Sequence, residues 1–249
     1  MATTKMKEKA PPPPPSSSGR TREVSSGRWL LGMIQATTFS CVYFFAPMYM
    51  IAALVCLLSG FPTRQGSFLI ATPLILSIFS KPKKLDCRFL GPMADYFDYE
   101  EAHEFSDNDI REFLEKSDRK FILASQPHGV LSYAGMCAAA TCDSDVGRIH
   151  TAAASVLLKT PILKNIMGIF GLVDASRKSL QKHFKKPGID GCVVLYVGGI
   201  AELFKSSPDE ERIYLSGRKG FIKLALREGV DVVPAYLFGN TSVLSVLKQ

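Results

Sequence analysis

The sequence predicts an α/β domain with a largely parallel sheet flanked by helices, preceded by a membrane hairpin. Three observations predict it. Residues 29–80 carry a single charged side chain, Arg64. Short, continuously apolar and partly β-branched runs recur further on, at 120–125, 192–197 and 230–238. Helix-like segments alternate with them, and continuous apolar strands interleaved with helices mark a sheet buried on both faces.

The chain starts with a tail, 1–28, that contains five consecutive prolines, a run of serines and a net charge of +4. Such a composition cannot bury a core, so this segment is expected to be a disordered spacer. The hydrophobic block 29–80 follows. Its first arm, 29–59, exceeds the ~20 apolar residues that a membrane crossing needs. The turn-rich stretch "GFPTRQG" at 60–66 separates it from a shorter arm at 67–79. Pro47 is expected to kink the first arm. Both flanks are basic, since 81–88 adds a net +3. The positive-inside tendency therefore puts both on the same, cytosolic face. A pair of buried core helices is the alternative; a cleavable signal peptide fits poorly, because a polar leader precedes an overlong apolar run.

From residue 89 onward the charges nearly cancel, at a net of −1. Nucleic-acid binding needs a basic stripe on the folded domain and is not expected. The six cysteines, at 41, 56, 87, 137, 142 and 192, form no Cys-x-x-Cys pair. A metal site is not expected, and the domain reads as reduced and cytosol-facing. The domain spans 81–249. "SDNDIREFLEKSD" at 106–118 reads as a surface helix capped by Ser106, and the acidic stretch 95–118 around it as solvated surface. A strand at 120–125 ends at a histidine turn. A small-residue helix covers 129–141, and 151–171 is apolar but ambiguous. The strand 192–197 ends in Gly198-Gly199. A helix at 217–229 closes on Gly229, and a buried strand occupies 230–238.

In parallel α/β folds, chemistry gathers where strands end. Two strand ends carry suitable residues. His128 stands in "QPHG" at 126–129: Pro127 fixes the backbone before it and Gly129 permits a sharp turn after it. A side chain so framed is aimed, and histidine is the general base of choice near neutral pH. Spacing alone fits a structural turn histidine better than a base. His103, His150 and His183 lack comparable framing. The second strand end is "YVGGIAELF" at 196–204, where Glu202 follows the glycine turn. By itself it suits the first turn of any helix.

Taken together, "QPHG", "ASRKSL" at 175–180, "YVGGIAELF", "RKGFIKLALREG" at 218–229 and "VVPAYLFGN" at 232–240 resemble, in order, the blocks of the type-2 diacylglycerol O-acyltransferase family. The resemblance covers roughly 81–245, and the hydrophobic hairpin also matches. It implies a glycerolipid-acyltransferase-like fold and transfer of a fatty acyl group from acyl-CoA to a diacylglycerol hydroxyl at the endoplasmic reticulum membrane. It leaves open other acceptors, such as a monoacylglycerol, a long-chain alcohol or phytol, and a non-catalytic lipid-droplet or partner-binding protein. Acyl-CoA enters as substrate, no bound cofactor is expected, and homo-oligomerisation stays open.

His128 matches the family's presumed base. Gln126 replaces the histidine or glutamate usual at the first position of that block. Related acyltransferases orient their histidine with an aspartate five positions on, where this chain has Tyr133. Glu202 is then the best distal partner, with Asp143 and Asp145 behind it. Gln126, Pro127, Gly129, Gly198 and Gly199 are expected to support the site, the glycine N–H groups as oxyanion donors. The basic cluster at 159–186 offers Arg177 and Lys178 for the phosphates of coenzyme A, with Arg218 and Lys219 as second choices. The resemblance also implies a longer C-terminal segment than the one ending at Gln249, so the acyltransferase domain is expected to be incomplete there.

Overall fold

A computed structural model describes residues 24–102, 112, 119–142, 149–205 and 212–244. Most of the tail, most of the helix expected at 106–118, and His103, Asp143 and Asp145 lie outside the described residues.

Two helices come first. α1 (Ser26–Ser59) has 34 residues with Pro47 inside it, and α2 (Arg64–Phe79) has 16. Gly60 ends α1 at φ 70, a left-handed conformation that glycine adopts without side-chain strain. Thr63 caps α2, its hydroxyl accepting from the Gly66 N–H at 3.0 Å.

α1 changes role along its length. Its first turns dock on the domain: Arg28 pairs with Asp95, and the Trp29 ring lies 5.1 Å from that of Tyr96. Gln35 Nε2 donates to the Phe89 carbonyl at 2.9 Å. Gly32 allows this approach, because a Cβ there would stand 2.0 Å from the Pro92 carbonyl oxygen. Further along, Phe45, Met48, Ile51 and Leu58 are exposed. As a whole α1 is long and apolar enough to cross a membrane, with a mean hydropathy of 2.2 over its best stretch. α2 measures roughly 24 Å at 1.5 Å per residue, short of a ~30 Å hydrocarbon core, so the long first arm and the short second arm expected from the sequence are both present.

The domain follows through a 3-10 turn (Cys87–Leu90) and α3 (Gly91–Tyr96). Then come β1 (Phe121–Gln126), α4 (Tyr133–Thr141), β2 (His150–Ala153), α5 (Ser155–Lys159), α6 (Leu163–Gly168) and β3 (Leu172–Asp174). α7 (Arg177–His183), β4 (Val193–Tyr196), α8 (Ile200–Leu203), α9 (Gly220–Glu228) and β5 (Asp231–Tyr236) complete it. The five strands form one parallel sheet in the order β3-β2-β4-β1-β5. Ile122 on β1, Ala152 on β2 and Val193 on β4 turn to one face, where Leu180 and Phe184 from α7 and its end, and Leu224 from α9, bury them. Phe121, Leu123 and Val194 pack on the other face with Cys192. A separate cluster of Met93, Leu131, Tyr133, Met136 and Phe170 ties α3 and α4 to Ala36 of α1.

Two expectations are corrected. β5 is not a buried strand but a sheet edge, with Pro234 and Tyr236 exposed. Proline lacks the N–H that a strand paired on both sides would use. The helix expected from 129 starts at Tyr133 instead, because residues 127–132 form the loop of the site described below.

The opposite end of the sheet holds a pair of imidazoles. His150 opens β2 with its ring 5.0 Å from that of His183, whose Nε2 bonds the Cys192 carbonyl at 3.1 Å. Burial, then the ammonium groups of Lys84 and Lys186 and the ring of His183, push His150 down to about 4, with Asp190 working the other way. Burial also lowers His183. Above the ordinary histidine range both rings are neutral in folded and unfolded chains and contribute no pH dependence. Between pH ~6.5 and 4 the unfolded chain binds a proton at His150 that the fold refuses, so stability falls as pH drops through that window. The loss expected is about 2 kcal/mol for a half-buried ring. Denaturation midpoints followed from pH 7 to 4 test this, and His150→Gln should flatten the profile.

Candidate active site

In a parallel sheet every strand ends on the same edge, so sheet order decides which loops meet. β4 and β5 flank β1 on its two sides. The loops after these three strands therefore converge, and backbone bonds continue their pairing: Val197 N–H donates to the Ser125 carbonyl at 3.3 Å and Leu237 N–H to the Gln126 carbonyl at 2.7 Å. Gln126 is thus the last residue of β1, and its peptide bond to the buried Pro127 is cis.

His128 follows, half-buried. Its Nδ1 lies 2.6 Å from the Gly129 carbonyl oxygen. A carbonyl can only accept, so Nδ1 carries a proton, and in the neutral ring Nε2 is the nitrogen with the lone pair. The Tyr196 ring stands beside the imidazole, with centroids 5.1 Å apart at 62°.

Glu202 approaches from the β4 side and is 1% exposed. Its Oε2 accepts the backbone N–H of His128 at 2.9 Å, and its Oε1 that of Tyr214 at 3.0 Å. The carboxylate thus holds the main chain at the histidine and does not touch the ring. Two glycines make this fit. Gly199, at φ 57 and ψ −157, turns the chain so that the single-turn α8 points Glu202 inward. A Cβ on Gly198 would sit 1.8 Å from the Glu202 carboxyl carbon.

Asn240 approaches from the β5 side and is 2% exposed. Its Nδ2 donates to the carbonyls of Pro127 and His128, both at 2.9 Å, and its Oδ1 accepts from the Ala134 N–H at 3.2 Å. Gly129, at φ 62, leaves room for it: a Cβ would stand 2.6 Å from the Asn240 carbonyl oxygen. The histidine loop is clamped from both neighbouring strands.

Ser132 Oγ donates to the Tyr196 hydroxyl at 2.7 Å. Burial pushes the Tyr196 phenol up from its ordinary range, with the Ser132 bond acting against that shift, so the phenol keeps its proton. Tyr196 reaches this place because Gly135 has no side chain: a Cβ there would lie 1.9 Å from the phenol oxygen. Gly135→Ala should therefore displace the Tyr196 ring from the imidazole. Activity is expected to fall about 10²-fold, as for other displacements near 1 Å in a catalytic site. Tyr196→Phe, which removes the hydroxyl in the way, should restore part of that loss in the double variant.

The basic candidates separate. Arg218 belongs to the site: its Nη2 donates to the Gly198 carbonyl at 3.2 Å, and its guanidinium lies over the Tyr214 ring at 5.3 Å. A cleft of about 240 Å³ opens there between the end of β4 and the segment Gly217–Phe221, with Arg218 and Tyr196 in its wall. Lys219 precedes α9 and is exposed. Arg177 and Lys178 open α7 after β3, three strand spacings from β1, which is roughly 14 Å along the same edge. They face solvent. Asn240, Tyr196, Ser132 and Tyr214 escaped the sequence reading. Asn240 and Tyr196 stood within the quoted blocks, polar residues at the ends of apolar runs, which was the one available signal; Ser132 and Tyr214 gave none.

Hairpin, parallel sheet and clamped histidine together define a membrane-associated α/β domain with a candidate site at the ends of β1, β4 and β5. The chain belongs to the diacylglycerol acyltransferase family, whose profile matches residues 94–249. It is 33% identical over 132 residues to human 2-acylglycerol O-acyltransferase 3, covering 51% of this chain and 39% of that protein. To human diacylglycerol O-acyltransferase 2 it is 32% identical over 131 residues, covering 50% and 34%. The corresponding protein of Dictyostelium discoideum is also 32% identical over 131 residues, covering 50% and 39%. These matches span between 34% and 39% of the relatives' own length. No solved structure matches the chain.

Proposed function

We propose that the protein transfers a fatty acyl group from acyl-CoA to the free hydroxyl of diacylglycerol, forming triacylglycerol. The observation that carries this reading is the 2.6 Å contact of His128 Nδ1 with the Gly129 carbonyl: with Nδ1 committed there, Nε2 of the neutral ring is the lone pair available to a hydroxyl. As the acceptor oxygen attacks the thioester carbonyl, its proton passes to Nε2. A C–O bond forms, the C–S bond breaks, and the proton leaves with the coenzyme A thiolate. Backbone N–H groups of Gly129, Gly198 and Gly199 are the candidate donors to the transient oxyanion. Glu202 acts as a positioning residue, and Arg218, bonded to the Gly198 carbonyl, is the candidate cation for a coenzyme A phosphate. Arg177 and Lys178 would serve only a more distant part of that extended molecule.

Monoacylglycerol is the second acceptor to test, because 2-acylglycerol O-acyltransferase 3 is as similar as the diacylglycerol enzymes. The protein acts at the endoplasmic reticulum membrane, with both ends of the hairpin on the cytosolic face. That orientation rests on the basic flanks and on α2, which is too short to cross by itself.

Expression in cells that lack neutral-lipid synthesis tests the reading. Labelled fatty acid should appear in triacylglycerol. Label in diacylglycerol alone would favour the monoacylglycerol acceptor, and label in no ester would favour a binding protein without catalysis. Tags at both ends should be reached from the cytosol, and a protected C-terminus would refute the hairpin.

A further inference from the structure

Where the hairpin meets the domain it leaves a groove of about 780 Å³. Phe45 and Tyr49 on α1, Pro73 and Leu76 on α2, and Ile166 on α6 form much of its wall. The volume lies within the roughly 300–1,000 Å³ of small-molecule sites. The lining is apolar except at the end where α2 stops. There Ser77 Oγ donates to Asn165 Oδ1 at 2.6 Å, and Asn165 Nδ2 donates to Ser80 Oγ at 2.8 Å. The Ile162 N–H also donates to Ser77 Oγ. Lys164 Nζ reaches the Ile78 carbonyl at 3.1 Å, and Lys81 follows as an exposed residue.

Ile162 adds a second, independent observation. It sits at φ 65 and ψ −58, with Leu163 N–H donating back to the Pro161 carbonyl at 2.7 Å. This is the strained hand of the γ-turn, and a β-branched residue is especially disfavoured there. Such outliers persist only where the surroundings over-determine them, and they cluster at ligand clamps. Ile162 is part of the groove wall.

We propose that the groove holds one acyl chain of a glycerolipid drawn from the bilayer, with its polar glycerol end beside Ser80, Asn165 and Lys81. Two of the three walls are helices with large exposed apolar side chains, among them Phe68, Leu69 and Phe79, so the groove opens to hydrocarbon and not to water. The polar end lies where the chain leaves the membrane, the level of lipid ester and headgroup. α2, shorter than the bilayer core, draws that level toward the groove. The site is separate from the His128 loop, and it stands on the hairpin's place in the bilayer, not on the acyltransferase reading.

Photolabelling tests it. The full chain is reconstituted in phosphatidylcholine vesicles doped with either a phosphatidylcholine or a diacylglycerol that carries a mid-chain diazirine, then irradiated and mapped by mass spectrometry. Adducts are expected at Phe45, Leu76 and Ile166 in clear excess over Phe68, Leu69 and Phe79. Ala46→Trp should abolish the groove adducts and leave the outer ones. Should that variant fail to fold, Ile166→Trp fills the groove from the domain side. His128→Ala should leave labelling unchanged, which separates this site from the fate of the catalytic reading. Excess labelling by both probes supports a resident glycerolipid, and by the diacylglycerol alone an acceptor-type lipid. Equal labelling of groove and outer faces, or groove adducts that survive both plugs, would overturn the proposal.

Discussion

Replacing His128 with alanine is expected to lower ester formation by about 10²–10⁴-fold, the contribution of a positioned general base, with little change in unfolding temperature. The two halves of this expectation come from the same geometry. The ring is half-buried and its polar bond is to the neighbouring Gly129 carbonyl, so deleting it leaves no distant group unpaired. The loop is held by its backbone, through Glu202 and Asn240, and these bonds survive the substitution. His183→Ala is the contrast. That ring is 3% exposed and bonded to the Cys192 carbonyl, so its loss should cost stability and leave the chemistry of folded molecules alone. Kinetics and thermal denaturation of both variants, side by side, check the pair. An unchanged rate in His128→Ala would sink the assignment of the base.

β1, β4 and β5 were legible because each is a short apolar run with a turn at its end, a local property. β2 and β3, four and three residues long, were lost in and beside the ambiguous apolar stretch 151–171. Sheet order was not legible. That β1 lies between β4 and β5 is a set of pairings between residues such as Ala124, Leu195 and Pro234, far apart in the chain. It is this order that brings Glu202 and Asn240 to the same loop. Glu202 could be singled out, but not its manner of acting, because a bond to a backbone N–H leaves no side-chain partner to find in the sequence. Gly198 was read as an oxyanion donor and Gly135 was not singled out, and no local pattern showed that both are tied to the room taken by Glu202 and the Tyr196 hydroxyl. The docking of α1 was invisible for another reason. The helix is apolar on all sides, so no stripe distinguishes the docked face of Gly32 and Ala36 from the face of Ile34 and Phe45.

Glu202→Ala is expected to damage both stability and rate, and the conservative Glu202→Gln separates the two. Both carboxylate oxygens accept main-chain N–H groups, one from His128 and one from Tyr214, at a fully buried site. Alanine leaves two donors unpaired, at about 1–3 kcal/mol each. Glutamine keeps one acceptor oxygen but turns an NH2 toward the other N–H, donor against donor, so one of the two loops must release. If the histidine loop releases, Nε2 moves, and a shift near 1 Å is worth about 10²-fold in rate. If the Tyr214 loop releases, Arg218, stacked on that ring, moves with it. The kinetic constants tell which. A fall in kcat at constant KM for acyl-CoA, in protein corrected for its folded fraction, marks a displaced base. A rise in KM with kcat preserved marks a displaced cation. A carboxylate that merely supported the fold would change the folded fraction and neither constant, and that outcome would remove Glu202 from the site.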